Sequence, residues 1–231
     1  MQKFFITATG TEIGKTMITT TLCQQLKMAG KMVAAFKPII SGYDSADMDS
    51  DTVLILQSLN LPITIENIEA ISPWRFLTPL APNMAAARED KYISLDEVVV
   101  FCKEQEKTGV DILFVEGVGG VCVPLNNEHT TLDWMAWLSD WKIILVVGSY
   151  LGAISHTLTA IKTLEARGLV LHTLIVNESL DSTVELEETI ETLTNFLPET
   201  TLIISVPRQK KCDKNYQKLW EKMPQFSEIY K

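Results

Sequence analysis

The chain has 231 residues, 46% of them hydrophobic, which is enough for one sizeable core and for a single domain running over residues 1–231. Its formal net charge of -9 excludes a broad basic surface, so neither nucleic acid nor an anionic membrane is expected as a partner. Cys23, Cys102, Cys122 and Cys212 lie far apart with no C-x-x-C pair, which suggests neither a zinc site nor a disulfide framework and fits reduced thiols.

In chain order, the first apolar run is "KFFITA". It starts almost at the first residue and shows no charged leader or cleavage signal, so no targeting segment is expected. A helix follows from Lys15 to Ala29, stopped by Gly30, and then a second strand, "MVAAFKP". A helix from Asp51 to Leu59 comes next. Asn60 to Asp90, with Pro62, Pro73, Pro79 and Pro82, is the least regular stretch and is expected to wrap the sheet edge. Ser94 to Lys107 reads as a helix stopped by Gly109, with Ser94 and Glu97 spaced as a capping box. Strands "DILFVEG" and "KIILVVG", a helix from Ile154 to Arg167 stopped by Gly168, strand "HTLIVNE", a helix over roughly Thr183 to Phe196 and strand "TLIISVP" complete the chain. The longest apolar stretch, around "IILVVGSYLGAI", is too short and too Gly-interrupted to span a bilayer, so a soluble cytoplasmic protein is expected.

Short apolar strands alternating with helices predict an α/β fold: a doubly wound, mostly parallel sheet with helices on both faces, of the P-loop NTPase type. In such a sheet, ligands bind outside the carboxyl ends of the strands. The sequence agrees, because "TGTEIGKT", "KPIISG", "EGVGG", "GSYLGAIS", "NES" and "PRQ" each follow a strand directly.

Gly14-Lys15-Thr16 forms the second half of a phosphate-binding loop, although Ala8 and Thr9 stand where its first glycine is usual. Gly14 lets backbone amides approach phosphate, Lys15 adds a charge, and the Thr16 hydroxyl can ligate Mg²⁺. Glu116, ending an apolar strand, is costly to bury without a cation or donors. Asp51 opens a helix, where either metal ligation or plain capping accounts for an acid. Lys37, held by Pro38 at the end of its strand, reads either as a second phosphate-facing charge or as a snorkelling surface lysine. Gly152 to Ser155, at a helix start, could receive an anion. Trp134, Trp137 and Trp141 read as a packing stripe or oligomer surface, and the lysines from Lys210 to Lys222 as a solvated face. His129, His156 and His172 show no ligand spacing.

Taken together, "FFITATGTEIGKT", "FKPIISG", "SDTVLILQ", "ILFVEGVGG" with "VPL", "LDWMAWL", "ILVVGSYLGAISHTLT", "IVNE" and "SVP" resemble, in order and spacing, the dethiobiotin synthetases of the biotin pathway. That resemblance implies a ligase making a cyclic urea from 7,8-diaminononanoate, CO₂ and ATP with Mg²⁺, acting as a homodimer with a shared active site. It implies that Thr11, Glu12, Ile13, Gly14, Lys15 and Thr16 wrap the phosphates, and that Gly117, Val118 and Gly119 contribute to the ATP site. Asn177, Glu178, Pro207, Arg208 and Gln209 would complete that site, with Asn177 and Pro207 to Gln209 reading the adenine. Thr16, Asp51 and Glu116 would surround the metal, and Lys15 and Lys37 would neutralise developing charge. Thr11 and Ser41 would contact the diamine, and Leu151, Gly152, Ala153, Ile154 and Ser155 its distal carboxylate. The chain departs from the family pattern at Ala8, Asn83 and Val118. Two other readings share the P-loop architecture: an amide-forming synthetase, which normally carries a further glutamine-hydrolysing domain, and a partner-binding ATPase switch, whose loop normally has an additional early lysine. "ATGTE" has no such lysine.

Overall fold

A computed structural model describes residues 1–180, 182–208 and 225–230. Six parallel strands form the main sheet: β1 (Gln2–Ala8), β2 (Val33–Phe36), β5 (Ile112–Glu116), β6 (Lys142–Gly148), β7 (Leu171–Asn177) and β8 (Leu202–Val206). Their order is β2-β5-β1-β6-β7-β8. Every pair in it is parallel, with Phe5 opposite Val115 and Ile143 fixing the central register. The α/β doubly wound fold is therefore as the alternation implied. β5 is buried along its whole length, as an unbroken apolar run requires when helices cover both faces.

The connections supply the helices α1 (Lys15–Met28), α2 (Asp51–Ser58), α5 (Leu95–Gln105), α7 (Ala153–Ala166) and α8 (Leu186–Thr194). The predicted stops hold: Gly30, Gly109 and Gly168 have φ of 77°, 72° and 76°, a left-handed region that glycine enters without a Cβ penalty. Ser94 Oγ accepts from Glu97 N–H at 3.4 Å, the predicted half of a cap. The core is built around aromatic contacts: Phe4 stacks on Phe114 at 5.5 Å and Phe5 meets the edge of Trp134 at 4.8 Å.

Two sequence expectations need correction. The segment from Asn60 to Asp90 is not irregular, because it carries α3 (Ile65–Ile71), β4 (Trp74–Phe76) and α4 (Pro82–Arg88). β4 pairs in parallel with a further short strand, β3 (Ile39–Ser41). The prolines that argued against regularity punctuate these elements instead; Pro82 takes the start of α4, where its missing N–H has no intrahelical partner to lose. The tryptophan stripe is split as well. α6 (Thr131–Trp137) ends before Trp141, and Trp134 and Trp141 are buried while Trp137 is 46% exposed. α6 instead begins with a true capping box between Thr130 and Asp133.

The connection leaving β1 runs to β2 at one side of the sheet and that leaving β6 runs to β7 at the other. A crevice forms where such connections diverge.

Candidate active site

The loop between β1 and α1 rises at this crevice. Ala8 is a regular strand residue opposite Val146, fully buried, and its carbonyl accepts Val121 N–H at 3.1 Å. Nothing there requires a glycine, so the departure from the usual motif leaves the loop beyond it intact. Gly14 caps α1 with φ of 101°, and no side chain caps the helix in its place. No acidic residue sits in the first turn either, so the α1 amides and dipole are offered to an external anion. Asn177, at the end of β7, braces the loop by donating from Nδ2 to Ile13 O at 2.9 Å. A Cβ on Gly14 would lie 2.5 Å from that nitrogen. Gly14→Ala is expected to destabilise the protein by about 1–3 kcal/mol in denaturant titrations, through left-handed strain and displacement of Asn177.

Lys15, the first residue of α1, lies along the loop and is 7% exposed. Its Nζ donates to Gly119 O at 2.8 Å and Gly10 O at 3.0 Å, tying the loop to the glycine turn after β5. Burial, reinforced by the nearby Lys37 charge, lowers its pKa to about 8, against the opposing pull of Glu116 and Asp51.

Beneath this loop the acids converge. Glu116 ends β5 with no exposed surface. Thr16 Oγ1 lies 2.7 Å from Asp51 Oδ1 and 2.8 Å from Glu116 Oε1. Lys37 Nζ bridges the same acids, 2.7 Å from Asp51 Oδ2 and 2.6 Å from Glu116 Oε1. Burial by itself would lower the Lys37 pKa, but Glu116 and Asp51 outweigh it and raise the value above that of a free lysine. For Asp51, burial acts to raise the pKa, and the Lys37 ammonium with the Lys37 and Thr16 hydrogen bonds brings it below the ordinary range. Lys37 is therefore 4% exposed and ion-paired, which rules out the snorkelling reading. The Asp51 carboxylate meets Thr16 and Lys37, so its position at a helix start is not explained by capping alone.

This donor set fits a hard divalent cation. One hydroxyl and two carboxylates supply only oxygen ligands, and the lysine ammonium already lies between the carboxylates as a cation does. Among the described residues no cluster of three or more His, Cys, Asp or Glu side chains could hold a metal.

Above the acids opens a cleft of about 660 Å³. Thr11, Glu12, Gly14, Lys15 and Thr16 form one side, Ser41 on β3 another, and Val118 and Gly119 a third; Lys37 and Asp51 reach it from below. Gly117 lies under the turn, where an added Cβ would come 2.9 Å from the Phe5 ring. Val118 and Gly119 thus line the cleft while Ile13 and Gly117 support it. The remaining predicted residues are elsewhere. Leu151 to Ser155 lie at the start of α7, with Gly152 as its N-cap at φ of 99° and Leu151 82% exposed. Glu178 follows β7 and accepts from Arg208 N–H at 2.6 Å, which brings the residues after β7 and β8 together. Pro207 precedes Arg208; Gln209, Cys212 and the lysines from Lys210 to Lys222 lie outside the described residues.

Sequence reasoning missed a whole wall of the cleft, formed by Pro79, Leu80, Ala81 and Pro82. No polar signal marks it; only the position of Asn83, next after Pro82, pointed to this segment. It also missed Thr19, whose Oγ1 is 2.6 Å from Glu116 Oε2. Its spacing of four from Lys15 on a helix, placing both on one face, was the available sign.

A family model described as an AAA domain matches residues 2–215. The ATP-dependent dethiobiotin synthetase BioD of Acidiphilium cryptum is 40% identical over 202 residues, covering 87% of this chain and 90% of its own. That of Methylobacterium nodulans is 44% identical over 186 residues, 78% of this chain and 82% of its own. That of Caulobacter vibrioides is 40% identical, covering 90% and 93%. Among solved structures, the MinC:MinD cell division complex of Aquifex aeolicus aligns with a TM-score of 0.56 at 14% identity, over 91% of this chain and 83% of that one. At that identity the likeness concerns the fold alone. With close sequence similarity along nearly the full length of several relatives, the chain belongs to the ATP-dependent dethiobiotin synthetase family.

Proposed function

We propose that this enzyme, a P-loop ligase of biotin biosynthesis, carboxylates 7,8-diaminononanoate with CO₂ and closes the ring to dethiobiotin at the cost of one ATP. The observation that carries this reading is the convergence of two buried lysines, a hydroxyl and the Asp51 carboxylate at one cleft, with the buried Glu116 carboxylate hydrogen-bonded behind them. Ring closure through phosphorylated intermediates needs positioning and charge stabilisation far more than a covalent nucleophile.

In this reading one substrate amine adds to CO₂ and loses a proton to give a carbamate. A carbamate oxygen attacks the γ-phosphorus, ADP leaves, and a carbonyl-phosphate anhydride remains. The second amine then attacks the carbonyl carbon and expels phosphate, losing its proton as the cyclic urea forms. Thr11 and Ser41 hold the diamine or its carbamate, which is supported by their place on the cleft wall. The α1 amides, Lys15 and the turn of Gly117 to Gly119 hold the phosphates. Thr16, Asp51 and Glu116 hold Mg²⁺, which when bound offsets phosphate charge. Lys37 places its ammonium against the carbamate and the transferring phosphoryl group.

Asn177, Glu178, Pro207, Arg208 and Gln209 read the adenine in this scheme; Asn177 supports it by touching the phosphate loop. Leu151 to Ser155 bind the distal carboxylate and, because none of them lines this chain's cleft, do so for a second subunit of a homodimer. We place the enzyme in the cytoplasm and treat residues 1–231 as one domain. Among the described residues no helix is long and apolar enough to cross a membrane.

The deciding test is phosphate release with Mg·ATP and bicarbonate, with and without 7,8-diaminononanoate, alongside the mass of the organic product. Diamine-dependent release is expected, with a product that has gained one carbonyl and lost two hydrogens. ATP hydrolysis indifferent to the diamine overturns the assignment and favours a partner-binding switch.

A further inference from the structure

We infer that Thr19, which belongs to no phosphate-binding motif, is a positioning residue that fixes the Glu116 carboxylate for cation binding. The inference rests on the reading of Glu116 as a cation ligand.

The two oxygens of Glu116 face different neighbours. Oε1 receives Thr16 Oγ1 at 2.8 Å and Lys37 Nζ at 2.6 Å, so it belongs to the cluster beneath the cleft. Oε2 receives Thr19 Oγ1 at 2.6 Å. Thr19 Oγ1 is also 3.0 Å from Lys15 O, but a hydroxyl has one proton. It goes to the carboxylate, whose contact is shorter and charge-assisted. Both Thr19 and Glu116 have no exposed surface, so water cannot replace that donor.

The terminal torsion of a glutamate is broad and nearly two-fold, so packing along the stem does not fix the carboxylate plane. Thr19 adds the missing constraint: with Oε2 held, Oε1 stays turned to Thr16 and Lys37. Without the hydroxyl, a buried Oε2 lacks its donor and the group is driven to rotate. Thr19 also sits one turn beyond Lys15 on α1, so one helix face grips the phosphate loop and orients the acid. Outer partners of this kind typically change cation affinity by about 10–100-fold when removed.

The test compares Thr19→Val, which keeps shape and removes the hydroxyl, with Thr19→Ser, which keeps the hydroxyl, and with Glu116→Gln. Binding of a non-hydrolysable ATP analogue is measured by calorimetry in EDTA and again across a Mg²⁺ titration. Thr19→Val should bind the analogue in EDTA like the parent and require about tenfold more Mg²⁺ for the same gain in affinity. Thr19→Ser should restore the parent titration. If circular dichroism shows Thr19→Val unfolded, Thr19→Ala reads the same quantity, and a Ser variant with the parent's fold but a weakened Mg²⁺ response overturns the proposal. Weakening in EDTA equal to that in Mg²⁺ also overturns it, since that is a loss of general structure. Glu116→Gln separates the two levels. If it loses the Mg²⁺ response while Thr19→Val keeps it, Thr19 alone is misassigned; if it keeps the response, Glu116 is not a ligand and both readings fall.

Discussion

Lys37→Ala should leave ATP binding nearly intact and reduce diamine-dependent turnover by at least about a hundredfold, the loss typical of a missing charge in a pre-organised site. The two halves of this expectation have different physical origins. The elements proposed to hold ATP are the open N-terminus of α1, Lys15 and the loop braced by Asn177, none of which contacts Lys37 through a hydrogen bond. Lys37 comes instead from the end of β2, 4% exposed, with its Nζ between Asp51 and Glu116. In the proposed reaction that ammonium serves the carbamate and phosphoryl oxygens, a role that the α1 amides and Lys15 do not share. Steady-state phosphate release and calorimetric ATP binding, measured on one preparation, separate the effects. Turnover near normal would remove Lys37 from the mechanism. Weakened ATP binding with unchanged turnover at saturation would place it with Lys15 as a ground-state contact.

The parts of this site legible in the sequence are those where local chemistry conflicts with the element that carries it. Glu116 is an acid in an apolar strand, Lys37 a lysine closing one, and Gly14-Lys15-Thr16 a polar break between a strand and a helix. Such residues need an explanation, and in the fold Thr16, Lys37 and Glu116 meet one another. The central sheet was legible for a related reason, since fully buried parallel strands are unbroken apolar runs. What stayed hidden follows ordinary local rules. Thr19 is an unremarkable helical threonine until β5 brings Glu116 against it. Pro79 to Pro82 look like a loop, and become a cleft wall only because Pro82 starts α4 and Gly42 packs beside Pro79. The β3–β4 pair escaped because three-residue strands are too short to show a period. Pro38 separates β2 from β3, so "FKPIIS" reads as one strand end when it is two.

Glu116→Gln should destabilise the protein in EDTA by about 3–5 kcal/mol, the range for breaking a buried ion pair from one side. The amide cannot accept all three contacts that the carboxylate takes from Thr16, Thr19 and Lys37, and it carries no charge to offset the Lys37 ammonium. Lys37 then keeps only Asp51, whose side chain is 37% exposed and whose attraction is correspondingly screened. Removing the lysine as well takes away the uncompensated charge, so Lys37→Met combined with Glu116→Gln should cost less than the two single changes added together. Urea unfolding of the parent, both single variants and the double variant gives the coupling, expected at about 1–3 kcal/mol for groups in direct contact. Additive losses would mean that Lys37 and Glu116 are stabilised independently, and the ammonium would then not be the internal counter-ion of this acid. Mg²⁺ supplies the complementary measurement. It should stabilise the Lys37→Met variant more than the parent, because in the parent the cation must first displace an ammonium already held by both carboxylates.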